Sequence, residues 1–393
     1  MHFSSNVASL TPSATLAITA RARAVRATGR SVVDLSAGEP SFPTPRAAAV
    51  GAAEAVRAGP TGYPPTPGFP ELRESIASYV RETTSAAEVS PEEVLVSAGV
   101  KQALFNLVFC LAGEGDEVLV PSPYWTSYIA IVELARARPV VVPVGSAGTA
   151  APAVEALERH RTGRTRALLL NSPANPSGRS CSLAHLEEIC AWAGRHGIWV
   201  LSDEIYRRLY YAGPSAPSVL DVEDRPERVV MLDGVSKAFS MPGWRIGWAV
   251  APPDLLDKAA ALQSQTTSAA AGPSQYAAHA ILRAPEREEV VTGFRDTLDR
   301  RRRAAVRALA GIPGLAVPEP SGALYAWGRL APAGPFGEDS LSAADALLRE
   351  QGVAVVPGEA FGAPGHLRMN FAVEEAVFAE GADRIRAFFA GRA

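Results

Sequence analysis

Lysine is scarce in this chain of 393 residues: Lys101, Lys237 and Lys258 are all there are among 38 basic side chains. Chemistry that needs a primary amine therefore has three candidates, and one of them has a suggestive setting. Lys237 lies in Ser236-Lys237-Ala238-Phe239-Ser240-Met241-Pro242-Gly243-Trp244-Arg245, behind an apolar run, among small neighbours and eight positions ahead of a guanidinium. That setting is compatible with a chemical role for the amine. The competing reading is a solvated surface lysine, the commoner fate of lysine ahead of a loop.

Four further groups of residues bear on that choice. In Ser202-Asp203-Glu204-Ile205-Tyr206 the aspartate follows an apolar run. It either caps a helix or holds a heterocyclic cation, with Tyr206 three residues on reaching a ring oxygen. Asn171-Ser172-Pro173-Ala174-Asn175-Pro176-Ser177-Gly178 is ordinary turn chemistry, or brings an amide side chain at a strand end to a ligand. Ser97-Ala98-Gly99-Val100-Lys101-Gln102-Ala103 marks a strand-to-helix junction, where free backbone N–H groups and the helix dipole favour a phosphate. Near the C-terminus, His366-Leu367-Arg368-Met369-Asn370-Phe371 sets an arginine in an apolar strand. Such an arginine is either an edge-strand residue or a bidentate clamp for a carboxylate.

Positioning these groups calls for a particular kind of scaffold. Strand-length apolar runs occur at Val94 to Ala98, Glu117 to Val120, Val140 to Val144, Ala167 to Leu170, Ile198 to Leu201, Val229 to Leu232 and Ile246 to Val250. Helical periodicity separates them at Lys101 to Ala112, Ser127 to Ala137 and Leu183 to His196. This alternation predicts an α/β fold with a mostly parallel sheet between helices and a site at the carboxyl ends of its strands. One long helical region is expected from Pro253 to about Leu282, and a second, Arg-rich helix near Glu286 to Ala310. Runs at Leu315 to Val317, Ala323 to Trp327, Val353 to Val356 and Leu367 to Phe371, with a closing helix Glu374 to Phe389, predict a smaller α+β unit that the first forty residues complete. Ala331 to Gly337 reads as a surface loop.

Composition narrows the function classes. A formal charge of −3 gives no footprint for nucleic acid or an anionic membrane, and 47% hydrophobic against 20% charged residues suits a large buried core. Cys110, Cys181 and Cys190 match no zinc or disulfide spacing, and no run is long enough to span a membrane. A cytoplasmic protein is expected. The acid-free, Arg-rich stretch Ala20 to Arg30 bears a faint likeness to a transit peptide.

Taken together, these motifs resemble a class I aminotransferase of the pyridoxal-phosphate fold type I superfamily, most similar to its bacterial aspartate and aspartate/prephenate aminotransferase branch. The likeness runs from Pro12-Ser13-Ala14-Thr15 through Ser36-Ala37-Gly38-Glu39-Pro40, Tyr63 and Pro123-Tyr124-Trp125 to Arg368. It implies a large domain with a mostly parallel seven-stranded sheet over residues 41–284. A small C-terminal α+β domain would cover 285–393, with 1–40 as an N-terminal arm and part of the small domain. It implies pyridoxal 5'-phosphate held as an internal aldimine by Lys237, Asp203 on the pyridine nitrogen, and Asn175 and Tyr206 on the phenolic oxygen. Trp125 would stack on the ring, and the phosphate would meet Gly99, Val100, Lys101, Ser236 and Arg245. Tyr63 would reach the neighbouring subunit's phosphate, making the enzyme a homodimer.

For the substrate, the resemblance assigns Arg368, Asn175 and Gly38 to the α-carboxylate, and Ser13 and Lys101 to the distal carboxylate of aspartate or glutamate. Two departures stand out. Ser177 replaces the usual threonine, and Leu324 stands where an aromatic is usual, which points to an altered substrate-pocket wall. The implied reaction moves an amino group to a 2-oxo acid. A lyase or synthase that diverts the same carbanion to elimination, replacement or carbon–carbon bond formation would use the same residues. A non-catalytic regulator on this fold is disfavoured by the presence of Lys237 and by the lack of a basic helix-turn-helix segment before residue 13.

Overall fold

The apolar runs become strands whose register decides where their polar ends emerge. The computed structural model describes residues 14–59, 62–145 and 148–392, with Ser4, Val7, Leu10 and Pro12. A short strand β1 (Val33–Asp34) precedes β2 (Val94–Ser97), β3 (Glu117–Ser122), β4 (Arg138–Pro143), β5 (Thr165–Asn171), β6 (Trp199–Asp203), β7 (Val229–Gly234) and β8 (Gly247–Val250). The last seven form one sheet in the order β2-β8-β7-β6-β5-β3-β4. All its neighbours pair in parallel except β8, which runs antiparallel to both β2 and β7.

Covering both faces of this sheet explains why its strands read as continuous apolar runs rather than alternating ones. Val200, Leu168, Leu170, Val229 and Met231 enter one core, with Pro70–Thr83, Leu183–His196 and Gly272–Arg283 against it. Leu201, Leu169, Val230 and Leu232 enter the other, with Val100–Leu111 and Pro253–Thr266. Each such burial contributes about 1.5–3 kcal/mol, so the strands that carry the site are also the strongest local determinants of the fold. Helix Leu183–His196 has the bounds its periodicity predicts: the Ser182 hydroxyl accepts from the His185 N–H at its start, and Gly197 ends it at φ 64°.

The C-terminal part adds β9 (Leu315–Ala316), β10 (Tyr325–Leu330), β11 (Val353–Ala354), β12 (Val356–Pro357) and β13 (His366–Asn370). An antiparallel sheet runs β12-β13-β10-β9, while β11 pairs in parallel with β1. The run Val353 to Val356 therefore divides between two sheets instead of forming one strand. The expected long helix after Pro253 is likewise two, Pro253–Thr266 and Gly272–Arg283, broken where Ser268 takes φ 63°. Helix Arg287–Leu309 passes Val291 to the first core, Leu298 to the second, and Ala305 and Leu309 to the C-terminal one. The Arg-rich stretch near residue 20 lies largely in helix Ala14–Ala27, where Ala22 packs with Leu348 and Ala354 and Arg21 pairs with Asp345.

Candidate active site

β5, β6 and β7 end side by side. Asn171 stands opposite Asp203, Asp203 opposite Leu232, and Lys237 follows three residues after β7. Asp203 is 4% exposed. Its Oδ2 accepts the Tyr128 hydroxyl at 2.8 Å and its Oδ1 the Ile205 N–H at 3.3 Å, and among the described residues no basic side chain pairs with it. Burial pushes its pKa up to about 6, although Tyr128, Ile205 and Lys237 pull the other way. A buried carboxylate with neutral donors only is poised for an incoming cation.

Lys237 is half-buried and donates from Nζ to the Gly38 carbonyl. Its enclosure lowers the ammonium pKa, as do Arg368 and Arg245, against the opposing pull of Tyr325 and Glu39. The loop that carries it closes with the Ser240 N–H on the Lys237 carbonyl, and Ser240 and Arg245 take φ of 51° and 57°. Such conformations cost about 1–3 kcal/mol each and persist only where the surroundings impose them. Here the Ser240 hydroxyl bonds Phe42 O at 2.8 Å, and the Arg245 guanidinium bonds Pro242 O and Ala98 O at 2.8 and 3.2 Å.

Arg245 thereby lies over the start of helix Val100–Leu111. Gly99 has φ 85°, and a Cβ there would collide with the Arg245 guanidinium. The Gly99 N–H already donates to Ser97 O, so the Val100 and Lys101 amides are the free donors of this cradle. With Ser236 and Arg245 nearby, it is a concave site for an oxyanion.

Arg368 is 1% exposed and has no carboxylate partner among the described residues. Its Nη1 donates to Asn175 Oδ1 at 2.9 Å and its Nη2 to Ser36 O at 2.8 Å, while Nε is unpaired. The guanidinium lies 4.4 Å from the Tyr325 ring centroid, and burial lowers its pKa. Asn175 is fixed in turn by its backbone N–H on Asn171 Oδ1, at 2.7 Å, and no acceptor for its side-chain NH2 is found among the described residues.

One cavity of about 590 Å³ gathers these groups: Gly38, Val100, Lys101, Trp125, Asn175, Asp203, Tyr206, Ser236, Lys237, Arg245 and Arg368 all line it. Trp125 meets the Tyr128 ring edge-on at 5.5 Å, and Lys101 Nζ lies 4.9 Å from the Trp125 ring centroid. Tyr63 is 97% exposed and does not line this cavity. Ser13 lies outside the described residues. Leu324 does not form the expected pocket wall: it is fully buried in the core, and Tyr325 beside it lines the cavity instead. Tyr325 also bonds Tyr206, hydroxyl to hydroxyl, at 2.7 Å. Tyr128 and Tyr325 were not legible as site residues, the one signal for them being proximity to Trp125 and Leu324, whereas Asn171 stands at the strand end whose amides were read as able to reach a ligand.

The family model "Aminotransferase class I and II" matches residues 30–385. The chain belongs to the class I and II aminotransferases. Within that family, an aspartate aminotransferase of Streptomyces avermitilis is 39% identical over 98% of this chain and 95% of its own. The aspartate/prephenate aminotransferase of Thermus thermophilus is 39% identical over 95% and 94%. Among solved structures, the Thermus thermophilus aspartate aminotransferase with maleate superposes with a TM-score of 0.93 at 38% identity, covering 98% of this chain and 99% of that one. An α/β fold of the fold type I aminotransferases is thereby established, and no helix among the described residues is long and apolar enough to cross a membrane.

Proposed function

We propose that this aminotransferase uses pyridoxal 5'-phosphate to move the amino group of an acidic amino acid, aspartate or glutamate, to a 2-oxo acid in the cytoplasm. The observation that carries the reading is an amine, an uncompensated buried carboxylate, an oxyanion cradle and an acid-free buried guanidinium on one cavity. Each fits one part of the cofactor–substrate pair. The Lys237 amine suits the aldehyde, Asp203 the ring nitrogen, and Val100, Lys101, Ser236 and Arg245 the phosphate, with Gly99 allowing the close approach. When bound, the cofactor supplies a ring that takes up the electron pair left as the substrate Cα–H bond breaks.

The chain's own residues do the rest. Lys237 Nζ, with its lowered pKa, takes the α-proton and gives it back on the other side of the transfer. Asp203 keeps the ring nitrogen protonated, and the Asn175 amide and Tyr206 hydroxyl hold the phenolic oxygen while Trp125 covers the ring. Arg368, with Asn175 and the Gly38 backbone, orients the α-carboxylate so that the Cα–H bond faces Lys237. Lys101, with Ser13, would take the distal carboxylate; the solved relative with a bound dicarboxylate, maleate, supports that choice. The exposure of Tyr63 supports a homodimer in which it serves the neighbouring site. The units 1–40, 41–284 and 285–393 form its arm, large and small domains.

The test is a panel of single-turnover reactions. Aspartate and glutamate should convert the bound cofactor to its amine form with release of the matching 2-oxo acid. Release of ammonia or of a side-chain fragment instead would favour the lyase reading.

A further inference from the structure

A second cavity, of about 420 Å³, lies beside the first and has no part in the reaction above. It opens between the end of β4 and the turn after β5 on one side and the small sheet on the other. Along β10, Tyr325 lines the active site, whereas Trp327 and Arg329, two and four residues on and thus on the same face, line this cleft. Along β13, Arg368 lines the first cavity and His366 the second. Both cavities therefore share one face of the small sheet. Across the cleft, Arg179 belongs to the turn that also carries Asn175.

The lining suits an anion with a flat body. Arg179 is half-buried and Arg329 exposed, and neither side chain makes a hydrogen bond or ion pair among the described residues. Several enclosed guanidinium groups are paired with carboxylates, Arg208 with Glu288 at 2.5 Å, Arg302 with Asp299 at 2.6 Å and Arg287 with Glu82 at 2.6 Å, and the half-buried Arg73 and Arg386 bond backbone carbonyls instead. Arg245 and Arg368 lack such partners, and they line a site that awaits anions. The same reasoning applies to Arg179: a guanidinium without a carboxylate in a cleft keeps its donor fork for a solute oxyanion. Glu338 is the one acid on the lining, so two arginines leave it net positive. His366 stacks on Trp327 at 4.8 Å and 7°, its Nδ1 held by the carbonyls of Ala363 and Pro364 at 3.2 and 3.0 Å. The Trp327 indole N–H has no hydrogen-bond partner among the described residues. Trp327 is 7% exposed and packed with Phe361, so the half-buried His366 ring, backed by Trp327, is the accessible aromatic surface beside the two cations.

We propose that this cleft is a second ligand site, taking a small molecule that carries an oxyanion, carboxylate or phosphate, on an aromatic body. Arg179 and Arg329 hold the oxyanion from opposite sides of the cleft, and Trp327 with His366 receives the ring. The test is calorimetric titration of the cofactor-loaded protein with phenyl phosphate, benzoate and inorganic phosphate, on the wild type and on Arg179→Gln and Arg329→Gln. One aromatic anion per chain should bind, more tightly than inorganic phosphate, and each substitution should weaken it about tenfold or more. Single-turnover rates with amino acids should stay unchanged in both variants. Tighter binding of phenyl phosphate would identify phosphorylated ligands, and of benzoate, carboxylates. Absence of saturable binding by either aromatic anion, or equal binding in wild type and both variants, would overturn the proposal.

Discussion

Asp203 shows how burial sets chemistry at the scale of one residue. A carboxylate at its ordinary pKa of about 4 would be ionised throughout the working range, but burial raises this one to about 6. Protonation as pH falls through that value removes the charge that a cationic ring nitrogen requires. Cofactor affinity is therefore expected to drop below about pH 6, as read by equilibrium titration of the cofactor-free protein; affinity independent of pH between 5 and 8 would contradict this. Behind Asp203, burial also raises Glu204 and Asp233, each to about 7. For all three the native state holds protons that the unfolded chain has released. The stability of their neutral forms is thus complete below about pH 4 and is lost as pH rises through 6 to 7. The melting temperature of the cofactor-free protein should fall by a few degrees from pH 5 to 8, and Glu204→Gln should flatten that slope. Lys237→Ala should slow the half-reaction by about a hundredfold or more, since a positioned proton carrier contributes on that order. Tyr128 escaped sequence reading because an aromatic near a helix start resembles any core residue, and its hydroxyl bond to Asp203 spans 75 positions.

At the scale of elements, the cradle depends on packing that no ligand touches. Gly247 on β8 pairs with Ser97, and a Cβ there would fall 2.7 Å from the Gly99 carbonyl carbon and strike the Val100 nitrogen. Because those neighbours are backbone, the helix start itself must shift. Gly247→Ala should therefore weaken cofactor binding about tenfold and cost about 1–3 kcal/mol of stability, measured by cofactor titration and denaturant unfolding. Unchanged affinity would mean that the cradle tolerates displacement. The same scale explains what was legible. Six of the seven strands of the large sheet were readable as nearly continuous apolar runs because both their faces are buried; the edge strand β4 is largely exposed, and only its Val140 to Val144 run marks it. The two-residue strands β1, β9, β11 and β12 are too short for any periodicity, and the pairing of β1 with β11 is set by contacts hundreds of positions apart, such as Val33 with Val353. Leu324 and Tyr325 were misjudged for a related reason: one position along a strand exchanges the core face for the cavity.

At the scale of the molecule, the N-terminal segment, the large sheet and the small sheet each contribute to one cavity, through Gly38, Asp203 and Arg368. The order and chemistry of these residues could be read along the chain, but their convergence required the fold. Subunit sharing adds a further level. If Tyr63 serves the neighbouring site, a hybrid of Tyr63→Ala and Lys237→Ala chains regains one intact site per dimer and recovers activity that neither variant dimer has. No recovery would place Tyr63 in its own subunit's site, and full activity of the Tyr63→Ala dimer would place it outside catalysis. The most direct test of the whole account mixes cofactor-loaded protein with aspartate or glutamate, without any 2-oxo acid, and follows the cofactor's visible absorbance. Conversion to the amine form with one equivalent of 2-oxo acid per chain is predicted. A visible band that persists unchanged with both amino acids would contradict it.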